Sequence, residues 1–213
     1  MSRTLFDDQP VDVPLASGAV LLGRFARTDE TALIAALNAI EARAPFRHML
    51  TPGARRMSVA MTNCGSVGWV SDTAGYRYAA DDPLSDRPWP EMPAVFQQLA
   101  ERASDAAGFP GFAPDACLIN RYVPGAKLSL HQDKDEQDFT APIVSVSLGL
   151  PATFLLGGMR RSDPTRRVAL VHGDVVVFGG ESRLRYHGIL PLADGVHPLL
   201  GAVRINLTFR KAR

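Results

Sequence analysis

The segment Leu130-His131-Gln132-Asp133 sets an imidazole and a carboxylate two residues apart, at the end of a β-forming run. Residues two apart on an extended chain face the same way, so His131 and Asp133 can bind one ion from one strand end. A third ligand must come from elsewhere, and His48, His172, His187 and His197 are the candidates. His187 lies in Tyr186-His187-Gly188, a few residues after a strand and the double-glycine turn Gly179-Gly180. His172, in His172-Gly173-Asp174, sits at a tight turn between two strands, where a structural role fits better. Two histidines and one carboxylate on one face of an octahedron serve non-haem Fe(II) oxygenases, leaving positions for a chelating cosubstrate and O₂. Taken alone, a histidine and an aspartate at this spacing are equally a surface pair.

The last strand-like run, Arg204-Ile205-Asn206-Leu207-Thr208-Phe209-Arg210, alternates. Arg204, Asn206, Thr208 and Arg210 share one face, and Ile205, Leu207 and Phe209 the other. A solvated polar face would make this an ordinary half-buried strand. If that face lines an interior, two guanidiniums demand anions, and a small dicarboxylate suits them because each fork can hold a carboxylate with two hydrogen bonds. Leu118-Ile119-Asn120-Arg121-Tyr122 alternates likewise, bringing Asn120 and Tyr122 to one face as neutral donors.

Trp69, Tyr76 and Tyr78 fall in a Gly-, Ser- and Thr-rich stretch, interleaved with Arg77. Aromatics give stacking platforms for an extruded base, and basic groups contact phosphates; a small packed core would use the same aromatics. Asp135 stands in the charge run Asp133-Lys134-Asp135-Glu136, either as a solvated charge or as a carboxylate facing a cationic base. Arg160-Arg161 and Arg166-Arg167 bracket Asp163-Pro164 in what reads as a hairpin loop.

The elements that must position these groups divide the chain. The first part looks helical and loop-rich. Thr28 or Asp29 can cap a helix carrying Leu33, Ile34, Leu37 and Ile40 at helical spacing and closed by Pro45. A second helix is expected from about Met92 through Val95, Phe96, Leu99 and Ala103 to Gly108. Between them, residues 51–82 suggest short strands or a long ordered loop. From Ala116 onward, strands are expected at Cys117–Val123, Lys127–His131, Ile143–Leu148, Thr153–Leu156, Arg167–Val171, Asp174–Phe178 and Val203–Arg210, split by turns. Many short strands with close turns mean a sandwich, barrel or jelly roll.

The chain's 213 residues suit one domain. Hydrophobic residues make up 46% and charged residues 21%, enough for a buried core. A formal net charge of +1 excludes gripping nucleic acid by bulk charge, though not by a local patch. Cys64 and Cys117 are too few for a disulfide framework and read as cytosolic thiols. Met1–Pro10 lacks a basic start followed by an apolar run, so no signal peptide is expected, and no stretch is apolar enough to span a bilayer. The expectation is a soluble cytoplasmic protein.

Asn120-x-Tyr122, His131-x-Asp133 with His187, and Arg204 with Arg210 occur in the order that resembles the AlkB family of Fe(II)- and 2-oxoglutarate-dependent nucleic-acid dealkylases. The resemblance extends through Met57-Ser-Val-Ala-Met-Thr-Asn-Cys-Gly, Asp115-Ala-Cys-Leu-Ile-Asn-Arg-Tyr, Pro124-Gly-Ala-Lys-Leu-Ser-Leu-His-Gln-Asp-Lys-Asp-Glu, His172-Gly-Asp-Val-Val-Val and Gly180-Glu-Ser-Arg-Leu. It covers about Ala16 to Arg210. Phe178, where a tryptophan is expected, and Thr153-Phe-Leu-Leu depart from the pattern without touching a ligand position.

The resemblance implies a mainly β fold, a double-stranded β-helix or jelly-roll core over 113–213, with N-terminal helices and a nucleotide-recognition lid over 1–112 in a single domain. It implies His131, Asp133 and His187 as catalytic iron ligands. It implies that Asn120, Arg121 and Tyr122 and the run Arg204, Ile205, Asn206, Leu207, Thr208, Phe209 and Arg210 hold 2-oxoglutarate. Arg204 with Asn120 and Tyr122 would take the distal carboxylate, and Arg210 would lie nearer the metal. Trp69 would sandwich the base against His131, and Tyr76, Arg77, Tyr78, Asp135 and Arg161 would contact substrate. The implied reaction is O₂-dependent demethylation of N1-methyladenine and N3-methylcytosine, releasing formaldehyde, succinate and CO₂. The implied partner is alkylated single-stranded DNA, with double-stranded DNA and RNA as further substrates, met by a monomer. An oxygenase of the same core acting on a protein or small molecule, a non-catalytic cupin-like binding module and a zinc hydrolase are the competing classes.

Overall fold

A computed structural model describes residues 11–213, so the reading of Met1–Pro10 lies outside the described residues. The described residues open with β1 (Val13–Ala16), β2 (Ala19–Leu22) and helix α1 (Glu30–Arg43). There follow β3 (Ala60–Gly65), β4 (Gly68–Asp72), β5 (Gly75–Ala79), the short β6 (Asp81–Asp82) and β7 (Arg87–Pro88), and helix α2 (Ala94–Ala106). The second half holds β8 (Ala116–Tyr122), β9 (Leu128–His131), β10 (Ile143–Gly149), β11 (Ala152–Leu156), β12 (Arg166–Leu170), β13 (Val175–Phe178), β14 (His187–Ile189) and β15 (Arg204–Arg210).

Seven strands form a major antiparallel sheet in the order β1-β2-β13-β10-β15-β8-β3, and four form a minor sheet in the order β12-β11-β14-β9. This is the expected jelly-roll core. Between the sheets, Leu118, Tyr122, Val176 and Phe178 of the major sheet share one apolar cluster with Phe154, Leu156 and Ile189 of the minor sheet. The other face of the major sheet is covered by Leu33, Leu37 and Ile40 of α1 and by Phe96, Leu99, Ala100 and Ala103 of α2. A sheet covered on both faces favours strands with no solvated side. All four residues of β13 and all seven of β15 are accordingly buried.

Both helices form where the apolar spacing places them, but the expected cap is absent. Asp29 occupies the N-cap of α1 without a side-chain cap bond. Its carboxylate instead pairs with Arg102 of α2, tying the two helices together. The sheet also begins earlier than expected. β1 and β2 extend its edge, with Ala19 opposite Phe178 and Leu22 opposite Val175. Their four-residue length and tight turn carry too little pattern to read. Gly18 in that turn has φ +71, and a Cβ there would stand 2.4 Å from the Gly179 carbonyl oxygen, so the turn needs glycine. Residues 51–82 resolve into β3, which joins the major sheet beside β8, and the hairpin β4–β5.

Candidate active site

His131 closes β9 and His187 opens β14, and the two are cross-strand partners in the minor sheet. Asp133, two residues beyond β9, lies between them. Its Oδ1 is 3.6 Å from His131 Nε2, and its Oδ2 is 3.8 Å from His187 Nε2. One ligand atom from each residue lies within 4.8 Å of the others. The Nδ1 of His131 meets the Ser129 carbonyl oxygen at 2.9 Å, and that of His187 meets the Arg185 carbonyl oxygen at 3.1 Å. A carbonyl only accepts, so both Nδ1 atoms carry a proton and both Nε2 atoms turn toward Asp133. Burial, followed by the neighbouring His131, pushes the His187 imidazole down to about 4, which leaves it neutral at ordinary pH. Burial alone would raise the Asp133 carboxyl, but Arg210 and the two histidines outweigh it and hold the group well below the usual carboxylate range. A neutral imidazole at His187 and an ionised carboxylate at Asp133 suit a divalent metal.

The charged loop after β9 is pinned from beneath. Arg210 Nη2 and Nε donate to Asp133 Oδ2 at 2.9 and 3.2 Å. Arg183 donates to the Asp133 carbonyl oxygen at 2.8 Å, to Glu136 Oε2 at 3.1 Å and to the Ala141 carbonyl oxygen at 3.0 Å.

Deeper in, Arg204 is 1% exposed, and Nη2 donates to Ser147 Oγ at 2.9 Å. Its Nε and Nη1 have no partner among the described residues, nor does the nearby buried Asn120 Oδ1. The guanidinium lies 5.0 Å from the Tyr122 ring centroid. Burial draws the Arg204 guanidinium downward and pushes the Tyr122 phenol upward. A buried cation with idle donors is costly unless an anion completes it. One cavity of about 720 Å³ joins Asn120, Tyr122, Arg204, Asn206, Thr208 and Arg210 to His131, Asp133 and His187. The residues therefore fit a metal with a small dicarboxylate beside it.

The cavity mouth takes in Trp69, Tyr76, Asp135 and Arg161, and it adds Arg55, Arg56, Lys127 and Lys134, which the sequence reading did not single out. Adjacent arginines in a Gly- and Thr-rich loop were the available signal. Other expected site residues do not reach the cavity. Arg77 is turned into a two-pronged pair with Asp72, at 3.0 and 2.7 Å, across the β4–β5 hairpin. Tyr78 donates its hydroxyl to Glu136 Oε1 at 2.5 Å beneath the site. Arg121 points to the opposite face of β8, where it pairs with Glu41 at 2.8 Å and lies over the Phe46 ring. Ile205, Leu207 and Phe209 pack under the helices. Strand alternation excludes these last four from the cavity, correcting the run-long expectation. The remaining candidate ligands also fall away from the cluster. His172 is buried, accepts from the Gly149 N–H and stacks on His197 away from the cavity, and His48 meets the Met57 carbonyl oxygen.

The profile of the 2OG-Fe(II) oxygenase superfamily matches residues 14–210. The chain is 60% identical over 206 residues to the alpha-ketoglutarate-dependent dioxygenase AlkB of Escherichia coli (strain K12), covering 97% of this chain and 95% of that protein. It is 34% identical over 174 residues to the DNA N(6)-methyladenine demethylase ALKBH1C of Arabidopsis thaliana, covering 70% of this chain and 38% of that protein. Among solved structures, that of OsALKBH1 superposes with a TM-score of 0.83 at 30% identity, covering 94% of this chain and all of that one.

Proposed function

From the premise that the chain belongs to the AlkB family, within the 2OG-Fe(II) oxygenase superfamily, we propose that it demethylates N1-methyladenine and N3-methylcytosine, preferring single-stranded DNA and also taking RNA. The coarser activity, 2-oxoglutarate-dependent oxidative demethylation of alkylated nucleic acid with Fe(II) and O₂, comes with that membership. The observation that carries the finer reading is the shared cavity. A dicarboxylate-ready arginine, a three-ligand cluster, and an aromatic with a carboxylate at the mouth all open into one space.

When bound by His131, Asp133 and His187, Fe(II) supplies the O₂ chemistry that hydroxylates an N-methyl carbon as 2-oxoglutarate is converted to succinate and CO₂. The rest is placement by the chain. Arg204 with Asn120 and Tyr122 takes the distal carboxylate of 2-oxoglutarate. Asn206 is held ready by bonds from its amide to Ser145 Oγ and the Val146 carbonyl oxygen, at 2.8 and 2.9 Å. Arg210 orients Asp133 and stands nearer the metal end. Trp69 gives the base a stacking face opposite His131, and Asp135 meets the positive charge that ring-nitrogen methylation creates. The methylated atom lies on the pairing edge, so the base must be unpaired or flipped to enter. Arg161, Arg55, Arg56, Lys127 and Lys134 flank the entry and suit a phosphate backbone.

We read the chain as a single domain over 1–213, acting as a monomer in the cytoplasm; among the described residues, β1–β3 tie the N-terminal part to the 113–213 core. Its two cysteines are free thiols buried in the core, in keeping with a reducing compartment. No helix among the described residues is long and apolar enough to cross a membrane.

The experiment is product release from a single-stranded oligonucleotide carrying 1-methyladenine, with Fe(II), 2-oxoglutarate and O₂. Equal amounts of formaldehyde and succinate are expected, and Trp69→Ala should depress both. Succinate without formaldehyde on every methylated oligonucleotide would overturn the repair reading.

A further inference from the structure

Asp135 is exposed at the cavity mouth, and its Oδ2 accepts a hydrogen bond from Trp69 Nε1 at 2.8 Å. Among the described residues this is the hydrogen bond its carboxylate makes. Asp135 follows β9 in an irregular segment, where an untethered side chain would sample several rotamers. The indole that tethers it is itself held firmly. Asn63, fully buried on β3, brackets the Trp69 backbone: its Oδ1 accepts from the Trp69 N–H, and its Nδ2 donates to the Trp69 carbonyl oxygen, both at 3.0 Å. Tyr76 stacks against the ring at a centroid distance of 5.5 Å and an interplanar angle of 17°. The major sheet thus fixes Trp69, and Trp69 aims Asp135.

We propose that Trp69 is a specificity-determining positioning residue, whose indole N–H orients the Asp135 carboxylate so that the second oxygen faces an entering cationic base. The inference rests on the reading of the mouth as a base-binding site. A base methylated on a ring nitrogen of its pairing edge carries positive charge and an exocyclic N–H, and both favour a carboxylate oxygen at fixed position. A methylated base that stays neutral gains little from it. Stacking and charge discrimination, two functions of different residues, are joined by one hydrogen bond, so discrimination operates only with the β4–β5 hairpin in place.

The test is a double-mutant cycle on the full chain with Fe(II) and 2-oxoglutarate. It compares kcat/KM for single-stranded oligonucleotides carrying 1-methyladenine, which is cationic, and 3-methylthymine, which is neutral. Trp69→Phe keeps an aromatic face and removes the donor. The cationic-to-neutral ratio should fall about tenfold in Trp69→Phe when Asp135 is present, the scale of one hydrogen bond to a charged group. In an Asp135→Ala background the same substitution should change the ratio less than about twofold. 2-Oxoglutarate binding to each Fe(II)-loaded variant, which does not involve the base, reports that it is folded. An equal drop in both backgrounds would mean that the indole acts through stacking on the cation alone and would overturn the inference, as would an unchanged ratio in both. A parent chain that discriminates between neither base overturns the reading of the mouth together with it.

Discussion

Arg204 shows how one side chain reveals its missing partner. Its guanidinium is sealed in the sheet with Nε and Nη1 idle, which lowers the stability of the protein alone and raises its affinity for a carboxylate. Arg204→Met should therefore leave thermal unfolding of the ligand-free chain unchanged or raise it, while weakening 2-oxoglutarate binding about a hundredfold or more. Paired melting curves and KM values would check the two opposite signs. His187 adds a pH dependence. Its folded value of about 4 lies below the ordinary 6.5, so the unfolded chain binds the extra proton. The stability this group supplies is complete above pH 6.5 and is lost as pH falls through about 4, a loss of up to about 3 kcal/mol. Urea midpoints of the metal-free chain at pH 7 and pH 4.5 should show it, and His187→Gln should flatten it. His131 and Asp133 were legible from strand alternation. His187 was not separable from His48, His172 and His197 without the family resemblance, because nothing local distinguishes it. The pairing of Arg77 with Asp72 was not legible, because it runs across a hairpin whose residues read equally as strands or loop.

At the scale of elements, β15 does two jobs through one alternation. Arg204, Asn206, Thr208 and Arg210 face the cavity, while Ile205, Leu207 and Phe209 carry the helices. Phe209 meets Phe96 of α2 edge-on, at 5.8 Å and 89°. Phe209→Ala should cost about 3–5 kcal/mol in unfolding free energy, measured by denaturant titration, without removing any cavity-lining side chain. Long alternating strands such as β8 and β15, and the apolar stripes of α1 and α2, were legible because their periods are unambiguous. β14 was not: it has three residues, and its pairing with β9 and β11 is visible only once the sheets are assembled. β1 and β2 escaped for the same reason. Long-range pairing, rather than local propensity, makes them strands.

The core of the molecule is two sheets that pack on apolar residues and leave a cavity between them, and the formal net charge is only +1. Cations are concentrated at the mouth, so binding should be salt-sensitive despite that balance. Replacing Arg55 and Arg56 together by alanine should weaken binding to methylated single-stranded oligonucleotides of any sequence. It should also reduce the slope of log K against log salt by about 1.4, as read by fluorescence anisotropy across a salt series. The fold class was legible from strand spacing. The cluster at the mouth was not, because loops 51–57 and 157–165 and the segment after β9 meet only in three dimensions.

The Arg204 pocket and the His131–Asp133–His187 cluster open into one cavity, as a single site for a metal and a keto-diacid requires. Anaerobic calorimetric titration of 2-oxoglutarate into the Fe(II)-loaded chain tests that single site most directly. Saturable binding of one molecule per chain is expected, abolished by His187→Ala and weakened about a hundredfold or more by Arg204→Met. Binding that is indifferent to both substitutions would contradict it.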